Sequence, residues 1–185
     1  MVAFALPETS KDAAVQSRLP VNQGGYSVRI SAGSDAGGIA LTEIFGADRE
    51  DSPVRSMNVS TLGFVGTGDE VLAPGFVIRG TGSKRVLIRA VGPGQTQLGV
   101  SGVLTDPRIA VYSAGAGAPM ASNDDWGGGA ALKATFTEVG AFSILDSSKD
   151  AAVIVTLPAG AFTVVVSGAG SSSGVALVEV YDLDP

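Results

Sequence analysis

Phe162-Thr-Val-Val-Val-Ser-Gly and Val175-Ala-Leu-Val-Glu-Val-Tyr, joined by Ala169-Gly-Ser-Ser-Ser-Gly, are two short β-branched runs around a small, flexible connection. The runs are too short and too rich in valine for helices, and the connection reads as a hairpin turn. Working outward, further strands are expected at Phe76-Val-Ile-Arg, Arg85-Val-Leu-Ile-Arg-Ala-Val, Arg108-Ile-Ala-Val-Tyr and Ala151-Ala-Val-Ile-Val-Thr-Leu. Turns are expected at Gly66-Thr-Gly-Asp, Gly80-Thr-Gly-Ser, Gly92-Pro-Gly and Gly127-Gly-Gly, and only Ala130 to Thr137 has helical character. Strands with this punctuation predict an all-β fold, a β-sandwich of jelly-roll type.

The same stretch belongs to an internal repeat. Thr9-Ser-Lys-Asp-Ala-Ala-Val recurs as Ser147-Ser-Lys-Asp-Ala-Ala-Val, and Leu19-Pro20 recurs as Leu157-Pro158. Tyr26-Ser-Val-Arg-Ile aligns with Phe162-Thr-Val-Val-Val, and Gly38-Ile-Ala-Leu-Thr-Glu-Ile-Phe with Gly174-Val-Ala-Leu-Val-Glu-Val-Tyr. Two extra residues near Gln23-Gly24-Gly25 fall in a turn, where insertions cost little. Residues 1–49 therefore read as the last third of one repeat, about three strands, and residues 50–185 as a complete one.

Composition narrows the chemistry. The absence of histidine and cysteine removes Ser-His and Cys-His nucleophiles, the usual zinc sites, disulfides and iron–sulfur clusters. A net charge of −6 is the wrong sign for a nucleic-acid surface, so no such partner is expected. Lys84-Arg85 with Arg79 and Arg89 reads as one solvated strand face. No apolar run reaches the length of a membrane span, and Met1-Val-Ala-Phe-Ala-Leu-Pro-Glu has no signal-peptide pattern.

The segment Met57-Asn-Val-Ser-Thr-Leu-Gly-Phe-Val-Gly-Thr-Gly-Asp-Glu-Val-Leu-Ala-Pro-Gly-Phe-Val-Ile resembles a tandem β-repeat of large secreted bacterial surface proteins. Val86-Leu-Ile-Arg-Ala-Val-Gly-Pro, Leu104-Thr-Asp-Pro, Asn123-Asp-Asp-Trp and the final Val-Ala-Leu-Val-Glu-Val-Tyr-Asp continue that pattern. The resemblance covers about 52–185 in full and 1–49 as the tail of a preceding copy. It implies a bacterial protein, secreted or at the cell surface, with no defined chemistry. More loosely, Asp106-Pro, the strand ending at Tyr112, Ala121-Ser-Asn-Asp-Asp and the closing strand pair resemble the bacterial pre-peptidase C-terminal domain. Relatives of that sandwich bind calcium and, in some cases, matrix or polysaccharide.

Asn123, Asp124 and Asp125, with Asp106 at the entrance of the preceding strand, are the candidate metal ligands. Calcium takes six to eight oxygens, which carboxylates, amides and carbonyls in a tight loop supply. A turn whose Asn and Asp side chains bind their own backbone is the alternative, and the spacing is not that of an EF-hand. Trp126 follows directly, either as an exposed ring for a sugar or an interface, or as a core plug. Lys11-Asp12 and Lys149-Asp150 read as solvated turns. Glu43 and Glu179 read as outward-facing or turn-binding. Gly66-Thr-Gly-Asp and Gly80-Thr-Gly-Ser-Lys lack Walker spacing and do not open a helix.

No pair of acidic residues is set on a shared cleft, so no enzyme is expected. A repeat fragment with unpaired edges instead points to a structural protein, tandem or filament-forming. Its copies would join head to tail by strand complementation, through self-association or through neighbouring repeats. The alternative is a calcium-dependent module that binds carbohydrate or matrix.

Overall fold

The structure, a computed structural model, describes residues 5–21, 24–33, 38–46 and 55–184. The chain divides into two units, Met1–Arg55 and Ser56–Pro185. All strands of the described residues lie in the second. They are β1 (Asn58–Val65), β2 (Gly75–Val91), β3 (Pro107–Ser113), β4 (Ala121–Asn123), β5 (Ala151–Gly168) and β6 (Gly174–Asp182). Among the described residues one α-helix, α1 (Ala130–Glu138), stands between β4 and β5, where helical character is expected. The all-β class is thus what the structure has.

The six strands form one antiparallel sheet in the order β1-β6-β2-β5-β3-β4. Two long strands organise it. β2 and β5 pair along most of their length, from Gly75 opposite Thr163 to Ala90 opposite Ala151, with a register shift between Ile78 and Ser83. The break falls at Gly80-Thr-Gly82, where both glycines have positive φ (102° and 95°). In the partner strand it falls at Pro158-Ala-Gly160. The expected turn at Gly80 is therefore a bend inside one strand, as is the gap between the two runs of β5. Bends of this kind let a strand pass from one layer to another.

Beyond the bend each long strand takes a different outer neighbour. β2 pairs through Val86 to Val91 with β6, and β5 pairs through Phe162 to Gly168 with β3. The main core draws on both halves: Val86, Ile88 and Ala90 of β2, Ile109 and Val111 of β3, Leu157, Phe162, Val164 and Val166 of β5, and Ala176 and Val178 of β6.

This order corrects the hairpin expected between the runs at Phe162 and Val175. They are not neighbours, because β2 lies between β5 and β6. Both edges of the Phe162 run are already occupied, by β3 and by the stretch leading into β2, where Leu72 and Val166 exchange backbone hydrogen bonds. The glycine–serine connection therefore carries the chain across to the far edge of β2.

A second cluster covers the other face of β2, β5 and β6. It joins Leu87, Val91, Ala152 and Tyr181 to Trp126, Phe136 of α1, and Ile144. All six residues from Val86 to Val91 are consequently buried, on alternating faces. β1, which the strand assignment above misses, is a sheet edge that pairs with β6 alone. Its Leu62 and Phe64 are exposed.

In the first unit the three expected strands are not present among the described residues 5–46, which form no strand and are almost all exposed. Val15, Val28, Ile30, Ile39, Leu41 and Ile44 all face solvent. The expected strand around Tyr26 and that from Gly38 to Phe45 have counterparts in β5 and β6, whose partners are β1, β2 and β3. Residues 1–49 have no equivalent of those three. Positions 1–4, 22–23, 34–37 and 47–49 of the expected partial repeat lie outside the described residues.

Truncation of the two equivalent leucines should separate the units. Leu157→Ala, at a fully buried site, is expected to lower unfolding stability by about 2–5 kcal/mol in urea titration. Leu19→Ala, at a site 54% exposed, is expected to change it by less than about 0.5 kcal/mol.

Candidate functional site

Five residues carry the sequence-based site: Asp106, Asn123, Asp124, Asp125 and Trp126. Asp106 immediately precedes β3 and Asn123 closes β4, so the pairing of those strands brings them to one corner. There the carboxylates part company. Asp106 and Asp125 both face the amine of Lys149, Nζ to Oδ2 at 3.7 and 3.1 Å. Asp124 faces the guanidinium of Arg108 at 3.8 Å. Asn123 is used by the backbone: its Oδ1 accepts from the Ala152 amide at 2.9 Å, and its Nδ2 donates to the Asp125 carbonyl at 3.0 Å. Among the described residues no three His, Cys, Asp or Glu side chains are grouped to hold a metal ion.

Lys149 thus provides the positive charge that Asp106 and Asp125 share. Its amine is held protonated to higher pH than usual, first by the hydrogen bond to Asp125, then by the charges of Asp106 and Asp125. The contacts are exposed, so their effect on stability is small and salt-sensitive.

Trp126 is only 4% exposed. Its amide donates to the Asp150 carbonyl and its indole Nε1 to the Leu145 carbonyl, at 2.9 and 3.1 Å. The ring packs on Phe136 with centroids 5.4 Å apart. It is a core plug. Trp126 also contributes to the lining of a shallow depression, with Lys133, Phe136, Thr137, Ile144 and Asp146.

The stronger electrostatic features lie where the sequence suggests solvated turns and faces. Arg89, placed above on a solvated face, is fully buried. Its Nε and Nη2 donate to Glu179 Oε2, the former at 2.9 Å, and its Nη1 donates to the Phe142 carbonyl at 2.7 Å. The guanidinium lies 4.7 Å from the Phe136 ring centroid and 4.6 Å from that of Phe142. Glu179 is Arg89's direct cross-strand partner in β6, and its other oxygen accepts from the Tyr181 hydroxyl at 2.6 Å. Glu179 therefore points inward, against the outward or turn-binding reading. A hydrophobic strand gave little reason to expect an inward charge; the signal available was an arginine and a glutamate isolated in otherwise apolar runs.

Asp150, read above as part of a solvated turn, is also fully buried. Its carboxylate accepts from the amides of Gly92 at 2.7 Å and Gly94 at 3.0 Å, and from the Ser148 hydroxyl. The loop fits only glycine at these places. A Cβ on Gly92 would stand 1.9 Å from the Leu104 carbonyl oxygen, and one on Gly94 2.6 Å from Ile144 Cγ2. Asp150 thus ties the end of β2 to the start of β5, one residue before their pairing begins.

No family model and no curated protein matches the chain. Among solved structures it is similar to the pre-peptidase C-terminal domain of a collagenase from Bacillus anthracis, at 10% identity and a TM-score of 0.43, over 67% of this chain and 89% of that one. A likeness at that level carries no argument about what this chain does.

Two outcomes follow from the buried charges. Breaking the pair by Glu179→Ala is expected to cost about 3–5 kcal/mol, because Arg89 is left buried and uncompensated. Arg89→Met together with Glu179→Met is expected to cost less than the two single changes combined, which a double-mutant cycle measures. Tyr181 is held protonated above the ordinary 10.0, first by burial, then by its hydrogen bond to Glu179 and the charge of that group. The folded protein then keeps a proton that the unfolded chain loses. This contribution is complete below about pH 10 and declines above it, by up to about 1.4 kcal/mol per pH unit. Urea midpoints compared at about pH 8 and about pH 11 should fall further for the parent chain than for Tyr181→Phe.

Proposed function

We propose that this chain is a non-enzymatic structural module of a bacterial cell surface, one link in an array of β-repeats joined head to tail by strand complementation. One observation carries the reading: residues 5–46 repeat the apolar pattern of β5 and β6 but leave it exposed. Val28 and Ile30 are 61% and 58% exposed, whereas their counterparts Val164 and Val166 are fully buried. Burying one such side chain stabilises by about 1.5–3 kcal/mol, so six exposed positions favour a partner strongly.

Strand addition suits that partner. The backbone of residues 5–46 makes no ladder hydrogen bonds among the described residues, and a sheet edge supplies them together with apolar pockets. Among the described residues no helix is long and apolar enough to cross a membrane. Nothing favours the calcium-dependent carbohydrate or matrix reading: Trp126 is buried, and a calcium ion at Asp106 and Asp125 would have to displace Lys149.

Light scattering and electron microscopy of the full chain test the proposal. Regular fibres that vanish when residues 1–55 are deleted would mark self-complementation. Monomers would assign the acceptor to another repeat of an array. In a chain shown to be monomeric, residues 5–46 as resistant to protease as residues 56–184 would overturn the proposal, since the segment would then need no partner.

A further inference from the structure

The interleaved sheet order says more about that partner, granted the complementation reading. β5 and β6 do not pair with each other: β5 lies between β2 and β3, and β6 between β1 and β2. A spare copy of β5 and β6 is therefore satisfied only by a complete β1, β2 and β3 block. The described residues hold one such block, and β5 and β6 of the same unit already fill it. These 185 residues then carry two sets of donor strands for the one acceptor block among the described residues. Exchange of strands among identical chains changes which set is left over and never removes the excess.

The filled acceptor shows what an unfilled one must offer. In it, Asp150 caps the Gly92-Pro-Gly94 loop and Glu179 neutralises Arg89, both fully or nearly fully buried. Their counterparts are Asp12 and Glu43. Asp12 already has the local geometry of Asp150. Its amide donates to Ser10 Oγ at 3.0 Å and the hydroxyl donates back to its carboxylate, as Ser148 does with Asp150, where the amide distance is 3.3 Å. The key is formed, while the one such loop among the described residues already holds Asp150. Glu43 sits in an exposed stretch with Ile44 and Phe45, as Glu179 sits with Val180 and Tyr181. Phe45 in place of Tyr181 removes the hydroxyl that holds the second glutamate oxygen. Glu43 would therefore depend more on the arginine than Glu179 does.

We propose that the partner of residues 5–46 is the β1–β3 block of a different copy of this repeat, recognised by two buried contacts. Glu43 pairs with an arginine at the place of Arg89, and Asp12 caps a glycine loop at the place of Gly92 and Gly94. Asp12 and Glu43 are then specificity-determining residues of the junction between repeats.

The test supplies the missing acceptor. A second copy of residues 56–146 is fused ahead of Met1 of the full chain, and amide hydrogen exchange is followed segment by segment. Residues 10–45 should exchange at least ~100-fold more slowly in the extended chain than in the 185-residue chain. Glu43→Gln or Asp12→Asn should cut that protection ~10-fold or more while leaving residues 56–185 unchanged. Glu179→Gln should do the reverse, and Glu43→Gln in the 185-residue chain should do nothing. Protection that ignores both Glu43 and Asp12 would overturn this recognition and leave complementation standing. Residues 10–45 exchanging as fast in the extended chain as without the fusion would overturn both.

Discussion

The structure depends on keeping a charge inside the sheet. From Val86 to Val91, β2 is buried on both faces and paired on both edges, and Arg89 lies in the middle of that stretch. A guanidinium removed from water costs several kcal/mol unless its hydrogen bonds are satisfied and its charge is balanced. Here Glu179 supplies the balance, the Phe142 carbonyl takes a further donor, and the Phe136 and Phe142 rings flank the group. These partners come from β6, α1 and the loop after it. The pair thus requires three separate parts of the chain to be in place at once, and ties the register of β6 to that of β2.

The need to cover both faces of β2 explains the rest of the architecture. One face meets the strands beyond the bend, and the other meets α1, Trp126 and Ile144. Asp150 performs a related task at the end of the strand, where three backbone amide contacts and a serine hydroxyl stand in for solvent. By contrast, the acidic corner at Asp106 and Asp125 is exposed and balanced by the flexible Lys149. Its charges are the more visible in sequence and the less consequential for the fold.

Interleaving also explains why the two copies of one sequence differ so much. Had β5 and β6 been a hairpin, residues 5–46 could have paired with themselves and hidden part of their apolar face. With β2 inserted between them, a fragment holding only those two strands has no neighbour for either. Nearly identical local sequences, such as Ser-Lys-Asp-Ala-Ala-Val in both copies, then stand in a buried sheet in one place and in solvent in the other.

Legible in the residues alone were the all-β class, the internal sequence repeat, the short helix at Ala130, and the lack of histidine and cysteine. Those are local or compositional properties: side-chain branching, glycine spacing and residue identity do not depend on what lies across the core. Strand adjacency, the fusion of paired runs into the bent strands β2 and β5, and the inward direction of Arg89, Glu179 and Asp150 came from long-range contacts. A run such as Arg85-Val-Leu-Ile-Arg-Ala-Val alternates on both faces of a sheet, and nothing within it tells which face is covered. Burial of a charge is decided by a partner some 90 residues away in the chain, through pairing that no local pattern encodes.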